Sequence, residues 1–166
     1  EVLELLRAKD LLEESLLIVA SDHGESLERG IIGLHSPVIR QATVHVPLLM
    51  RGPGIPAGRV VEQVVGLVDV FPTVLECLGV PIPQICQGRS FLRLVCGGDS
   101  EWQEQAISMV PTEYIGRKVP GYETDPSILA VRDRDWKLVR RGQDTLELYN
   151  LRIDAEELSN QASKHP

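Results

Sequence analysis

Leu16-Leu17-Ile18-Val19-Ala20-Ser21-Asp22-His23-Gly24 decides how this chain is understood. Five apolar residues run without interruption and then stop at a polar turn. A continuous apolar run, rather than an alternating one, is the pattern of a strand buried on both faces of a parallel sheet. Ahead of it, Val2, Leu5 and Leu6 fall at helical spacing. A helix leading into a buried strand is half of a βαβ unit, whose first strand would lie before residue 1.

Working outward, residues 44–50 form a second apolar run, with Pro47 suggesting an edge or bulged position. Arg51-Gly52-Pro53-Gly54-Ile55-Pro56-Ala57-Gly58 is a turn cluster. A β-rich stretch follows over residues 60–68. Asp69 is then placed to N-cap a helix over residues 70–78, with Phe71, Val74, Leu75 and Leu78 on one side. Pro72 sits in the tolerated first turn of that helix, and Gly79 supplies the stop. After Cys96-Gly97-Gly98-Asp99-Ser100 the texture changes to short strands, predicted over residues 106–110, 128–132, 136–140 and 146–149. Turns at 132–135 and 142–144 separate the later ones, and Asp154 can cap a last short helix to about residue 161. The expectation is an α/β first part over residues 1–97 and a small antiparallel sheet with a C-terminal helix over residues 98–166.

Composition narrows the function. The 166 residues are 43% hydrophobic and 25% charged, as in a folded globular protein, and no apolar run approaches a membrane span. Residues 1–4 do not have the pattern of a signal peptide, and the compartment stays open. Seventeen Lys and Arg against 24 Asp and Glu give a net charge of -7, which argues against nucleic acid as a partner. Cys77, Cys86 and Cys96 form no Cys-x-x-Cys motif. Cys77 lies in the apolar helical run and is expected to be a buried, inert thiol; a Cys86–Cys96 disulfide is an open alternative.

Sites in open α/β sheets form beyond the carboxyl ends of the strands, where Asp22 and His23 fall. A carboxylate and an imidazole on adjacent turn residues can share one divalent cation. Equally, Asp22 can cap the next turn and His23 can be plainly exposed; the pair alone does not decide. The long segment over residues 25–37 has the length usually kept for function.

Several stretches taken together resemble the sulfatases of the alkaline phosphatase superfamily. Ser21-Asp22-His23-Gly24-Glu25 is similar to their metal-binding turn, and Val46-Pro47-Leu48-Leu49-Met50-Arg51-Gly52-Pro53-Gly54 to a second core strand and turn. Leu67-Val68-Asp69-Val70-Phe71-Pro72-Thr73-Val74-Leu75, with Gly79-Val80-Pro81 and Gln87-Gly88-Arg89-Ser90, resembles the last core helix and exit loop. Asp135-Trp136-Lys137-Leu138-Val139, then Glu147-Leu148-Tyr149-Asn150-Leu151 and Asp154, is similar to the C-terminal sheet. The resemblance implies the C-terminal portion of an alkaline-phosphatase-like core sheet followed by the small antiparallel subdomain, with the rest of the sulfatase domain upstream.

It also implies chemistry. Asp22 and His23 become ligands of a divalent ion, calcium by family habit, with manganese an alternative because one donor is nitrogen. His35 matches the residue that binds the sulfate group or its ester oxygen, where it stabilises or protonates the leaving oxygen. The substrate would be a small-molecule or glycan sulfate ester. His45, Trp136 and Lys137 read as structural or surface residues, and His165 as solvated.

The sequence departs from the family pattern in three places. Leu27-Glu28-Arg29-Gly30 stands where a Gly-Glu-His-Gly stretch is common, and Arg40-Gln41 replaces an aromatic-acidic pair. The Cys/Ser-x-Pro-x-Arg motif that is converted to the formylglycine nucleophile is absent from these residues. The chain by itself is therefore expected to be inactive. Two rivals remain: a phosphonate or phosphate monoester hydrolase of the same superfamily, and a degenerate module kept for binding.

Overall fold

The structure is a computed structural model that describes residues 1–25, 39–98, 101–110, 128–142 and 145–165. Two compact units interleave in sequence. Glu1–Asp22, Pro47–Glu62 and Leu67–Glu101 make the first; His23–Val46, Gln63–Gly66 and Trp102–Pro166 make the second.

In the first unit, helix α1 (Val2–Ala8) leads to strand β1 (Leu17–Ala20), as the helical spacing and the apolar run predict. The parallel neighbour is expected ahead of residue 1, and the pairing within this chain is of the other kind. β1 pairs antiparallel with β2 (Leu48–Arg51), in the register Leu17↔Arg51 to Ala20↔Leu48. A continuous apolar run reports apolar faces, but says nothing of which strand pairs with it or in what direction. Nor are both faces covered, since the partners Val19 and Leu49 are 61% and 59% exposed. The Arg51 guanidinium ties the end of β2 to the segment ahead of β1, donating to Leu12 O at 2.5 Å and to Glu13 Oε1 at 2.6 Å.

Helix α3 (Val70–Cys77) forms as expected, preceded by a 3-10 turn over Leu67–Asp69 instead of a strand. Gly79, at φ +66°, ends it, a conformation that costs glycine nothing. Asp69 does not cap its own helix. Its buried carboxylate accepts the Arg89 N–H at 2.8 Å, while Thr73 Oγ1 donates to Asp69 O at 2.6 Å and accepts from Phe91 N at 3.0 Å. These bonds bring α4 (Leu92–Val95) to α3 and bury Pro72 and Thr73. The stripe through Phe71 and Leu78 is left exposed instead. Cys77, Cys86 and Cys96 are free thiols, and burial, with Cys96 nearby, pushes the Cys77 thiol up.

The second unit holds the sheet. Strands β3 (Ala106–Val110), β4 (Ile128–Arg132), β5 (Trp136–Arg141) and β6 (Thr145–Asn150) pair antiparallel in that order. Alternation decides the faces. Ile128, Ala130, Val139 and Tyr149 pack with Ile39 into one core, with Val44, Val110 and Leu151 at its margin. Ile107, Met109, Leu138 and Leu146 share the opposite face and are exposed. Part of the second apolar run is helical: Gln41–Val44 is the single turn α2, closed by Thr43 Oγ1 on Arg40 N.

The C-terminal helix is corrected to a turn and a late 3-10 segment, Ala162–Lys164. Asp154 does act as a cap, accepting from Leu158 N and Ser159 N, each at 2.9 Å. Glu157, however, stands at φ +56°, which a right-handed helix does not tolerate. The segment bonds to β6 instead, through Asn160 Oδ1 and Gln161 N at Leu148.

Glu157 is held in that conformation by the interaction at the centre of this unit. Lys137 Nζ lies 2.5 Å from Glu157 Oε1, and both side chains are 1% exposed. Lys137 also donates to Ile39 O at 2.7 Å, and Glu157 Oε2 accepts Gln41 N at 2.9 Å. Arg40 donates to Glu157 O at 2.8 Å and lays its guanidinium over the Tyr149 ring. Lys137 is thus a core residue rather than a surface one, sharing the inward face of β5 with Val139. Burial pushes its ammonium below the ordinary lysine range, with the Glu157 carboxylate opposing.

Two outcomes follow. Lys137→Met strands a buried carboxylate and should cost about 3–5 kcal/mol in urea unfolding, whereas Lys137→Met with Glu157→Leu should cost clearly less. Burial, and secondarily the Glu147 carboxylate that accepts its hydroxyl at 3.0 Å, pushes Tyr149 up to about 12. A folded pKa above the unfolded value of 10.0 means stability that is intact below that pH and lost as pH rises towards about 12. Tyr149→Phe should remove this part of the alkaline loss, read as urea midpoints on either side of the window.

Candidate functional site

β1 ends at Ala20, and the chain continues through Ser21 and Asp22 in the first unit. Asp22 is exposed two residues beyond the strand. His23, also exposed, opens the second unit. Its Nδ1 lies 2.9 Å from Gly24 O. A carbonyl only accepts, so Nδ1 is the donor in that bond. Metal-ligating histidines are commonly pinned in this way, one nitrogen donating to a carbonyl and the other facing the metal.

Gly24 fixes where that ring begins. Its N–H donates to Thr43 O at 2.8 Å, and a Cβ built on it would sit 2.0 Å from Ala42 O. Only a residue without a side chain lets the turn lie so closely on α2. In the sequence, Gly24 marks simply the place where the backbone can turn away. The structure adds a close contact to a segment nearly twenty residues further on.

Carboxylates and imidazoles are both ligand types for divalent ions, so the residue types at Asp22 and His23 are compatible with one. Two donors are a partial set. Among the described residues, no group of three or more His, Cys, Asp and Glu side chains is gathered where it could hold a metal ion. His35 lies outside the described residues, as does the rest of the segment over residues 26–38.

The remaining histidines have modest surroundings. His45 is exposed, and its backbone N–H closes α2 on Gln41 O at 2.8 Å. His165 is exposed and set edge-on to Trp136, with ring centroids 5.3 Å apart. Arg40, one of the positions that departs from the family pattern, turns to Tyr149 and Glu157. Sequence reasoning missed Lys137 and Glu157. A signal was present in the alternation of β5, where Lys137 shares its parity with Val139 and opposes Tyr149. Nothing in the sequence marked Glu157 as its partner.

Known proteins share both sequence and fold with this chain. The family model described as N-sulphoglucosamine sulphohydrolase, C-terminal, matches residues 36–165. Arylsulfatase K of Homo sapiens is 36% identical over 169 residues, covering 100% of this chain and 31% of that protein. The phosphonate monoester hydrolase of Agrobacterium radiobacter superposes with a TM-score of 0.80 at 26% identity, covering 99% of this chain and 34% of its own. BT4656, solved in complex with its substrate D-glucosamine-2-N,6-O-disulfate, superposes with a TM-score of 0.76 at 23% identity, a likeness of fold. It covers 98% of this chain and 33% of its own. The chain thus spans about a third of the length of the proteins it matches. On the match over residues 36–165, this chain belongs to the sulfatase family, as a C-terminal part of the kind described for N-sulphoglucosamine sulphohydrolase.

Proposed function

We propose that this chain is the C-terminal part of a hydrolase of sulfate esters, in which Asp22 and His23 contribute to a divalent-metal site and His35 faces the leaving oxygen. The observation that carries the reading is the family match over residues 36–165, joined to arylsulfatase relatives aligned over the whole chain. The pinned tautomer of His23 and the close seating of Gly24 support the metal role. When bound, calcium or manganese supplies a positive charge that stabilises the anionic sulfate group and the nucleophile. Asp22 would offer a carboxylate oxygen to such an ion and His23 a ring nitrogen. His35, as an imidazolium, donates a proton to the ester oxygen as the S–O bond breaks, so that the product leaves as a neutral alcohol.

With no Cys/Ser-x-Pro-x-Arg stretch in these residues, the reading takes the nucleophile from outside them. The substrate class is a small-molecule or glycan sulfate ester; the arylsulfatase relatives and the disulfated glucosamine bound by BT4656 support it. A second reading, a phosphonate or phosphate monoester hydrolase, is favoured by the likeness to the Agrobacterium radiobacter enzyme.

Assays of the complete natural polypeptide that carries this chain separate the two. Turnover of a chromogenic aryl sulfate well above that of the matching phenylphosphonate monoester supports the first reading; the reverse preference replaces it with the second. Asp22→Ala and His23→Ala should each weaken manganese or calcium binding, and each should lower aryl sulfate kcat/KM by about 100-fold or more. His35→Ala should lower kcat by about 10²–10⁴-fold for poor leaving groups and much less for acidic phenols, which need no proton. Equal losses for both kinds of leaving group would remove His35 from the acid's role. Residues 1–166 alone should turn over no aryl sulfate, and turnover abolished by Asp22→Ala would refute that.

A further inference from the structure

Within the second unit, an unbroken series of bonds runs from the buried ion pair to the turn that carries His23. Lys137 grips Ile39 O, and Glu157 Oε2 receives Gln41 N. The Glu157 carbonyl receives Arg40 Nη1. Residues 39–41 are thereby held at both backbone polarities by one lysine and one glutamate. Thr43 continues the series: its backbone N–H donates to Arg40 O at 2.9 Å, and its buried hydroxyl bonds Arg40 N at 3.1 Å and Arg40 O at 2.9 Å. Thr43 O then accepts the Gly24 N–H at 2.8 Å. Gly24 O in turn meets His23 Nδ1 at 2.9 Å.

We infer that Lys137 and Glu157 are positioning residues for His23: their buried ion pair fixes residues 39–43, and these fix the His23-Gly24 turn. The physical case rests on the kind of groups used. A core that needed only stability would be served as well by apolar side chains, because desolvating two charges offsets much of their attraction. What an ion pair adds is direction. Lys137 offers donors only and Glu157 acceptors only, so each selects one backbone polarity on the segment it holds. That selection fixes the rotation of α2 about its axis, and so the direction in which Thr43 O points. Gly24, with no room for a Cβ, follows that backbone closely. The functional meaning of this positioning rests on the metal role of His23 proposed above; the mechanical coupling does not.

The complete natural polypeptide provides the test. Amide hydrogen exchange at Gly24 and manganese affinity are measured in the parent, in Glu157→Gln, in the double variant Lys137→Met/Glu157→Leu, and in Val139→Ala. Val139 sits on β5 inside the same core but takes no part in the bonds above, so its truncation reports plain destabilisation. Glu157→Gln keeps the size and one acceptor, which guards against a double variant that fails to fold. The expected result is Gly24 exchange faster by about tenfold and manganese binding weaker by about tenfold in both ion-pair variants, with Val139→Ala within about twofold of the parent. Gly24 exchange unchanged in the ion-pair variants, or accelerated equally by Val139→Ala, would overturn the inference. Manganese binding that ignores His23→Ala, alongside the expected Gly24 response, would refute the metal assignment and leave the positioning role supported.

Discussion

A lysine and a glutamate buried at 1% exposure and 2.5 Å apart constrain everything around them in the second unit. Neither can be left without partners, since a lone charge in a core costs far more than a lost hydrogen bond. Ile39, Arg40 and Gln41 must therefore approach β5, and Glu157 must adopt its positive φ to bring its carboxylate and its carbonyl to them. From this follow the single turn at α2, the loss of the last helix, and the cation over Tyr149. Stability alone would not require an ionic solution here. The geometry it imposes on a neighbouring backbone is the feature that an apolar replacement would lack.

The first unit solves a similar problem with neutral and singly charged groups. Asp69 and Thr73 divide their bonds between their own helix and the chain at Arg89 and Phe91, so α3 is anchored by its polar residues while Phe71 and Leu78 stay exposed. Polar side chains thus decide which face of the helix is buried, in opposition to its apolar stripe. Both units show the same inversion: the residues that a hydrophobicity pattern would send outward are the ones that hold the backbone together.

The chain belongs to the sulfatase family, and its Asp-His turn is most closely held at His23 and Gly24. The Gly24 carbonyl accepts from His23 Nδ1, which orients the ring against the backbone of its own turn. That orientation comes from a backbone contact, and so does the seating of Gly24 against Ala42 and Thr43. The His23-Gly24 turn is seated by main-chain contacts with residues far from it in sequence.

By itself the sequence determined most of the local elements and the family. The apolar runs gave β1 and the sheet strands within a residue or two, because period and composition are local properties that side-chain burial must respect. The Ser-Asp-His-Gly turn and the companion stretches identified the sulfatase resemblance, since those residues recur in a fixed order along the chain. Strand pairing was another matter. That β1 runs antiparallel to β2 depends on where the chain brings Leu48–Arg51, and no property of Leu17–Ala20 alone contains that information. The fates of Lys137, Asp69 and Glu157 were hidden for the same reason. A charged side chain is assigned to the surface unless its partner is known, and the partner of Lys137 lies twenty residues away across a turn with an unusual φ. Tertiary structure decided these positions because the cost of burying a charge is set by what stands opposite it, and only the folded chain determines that.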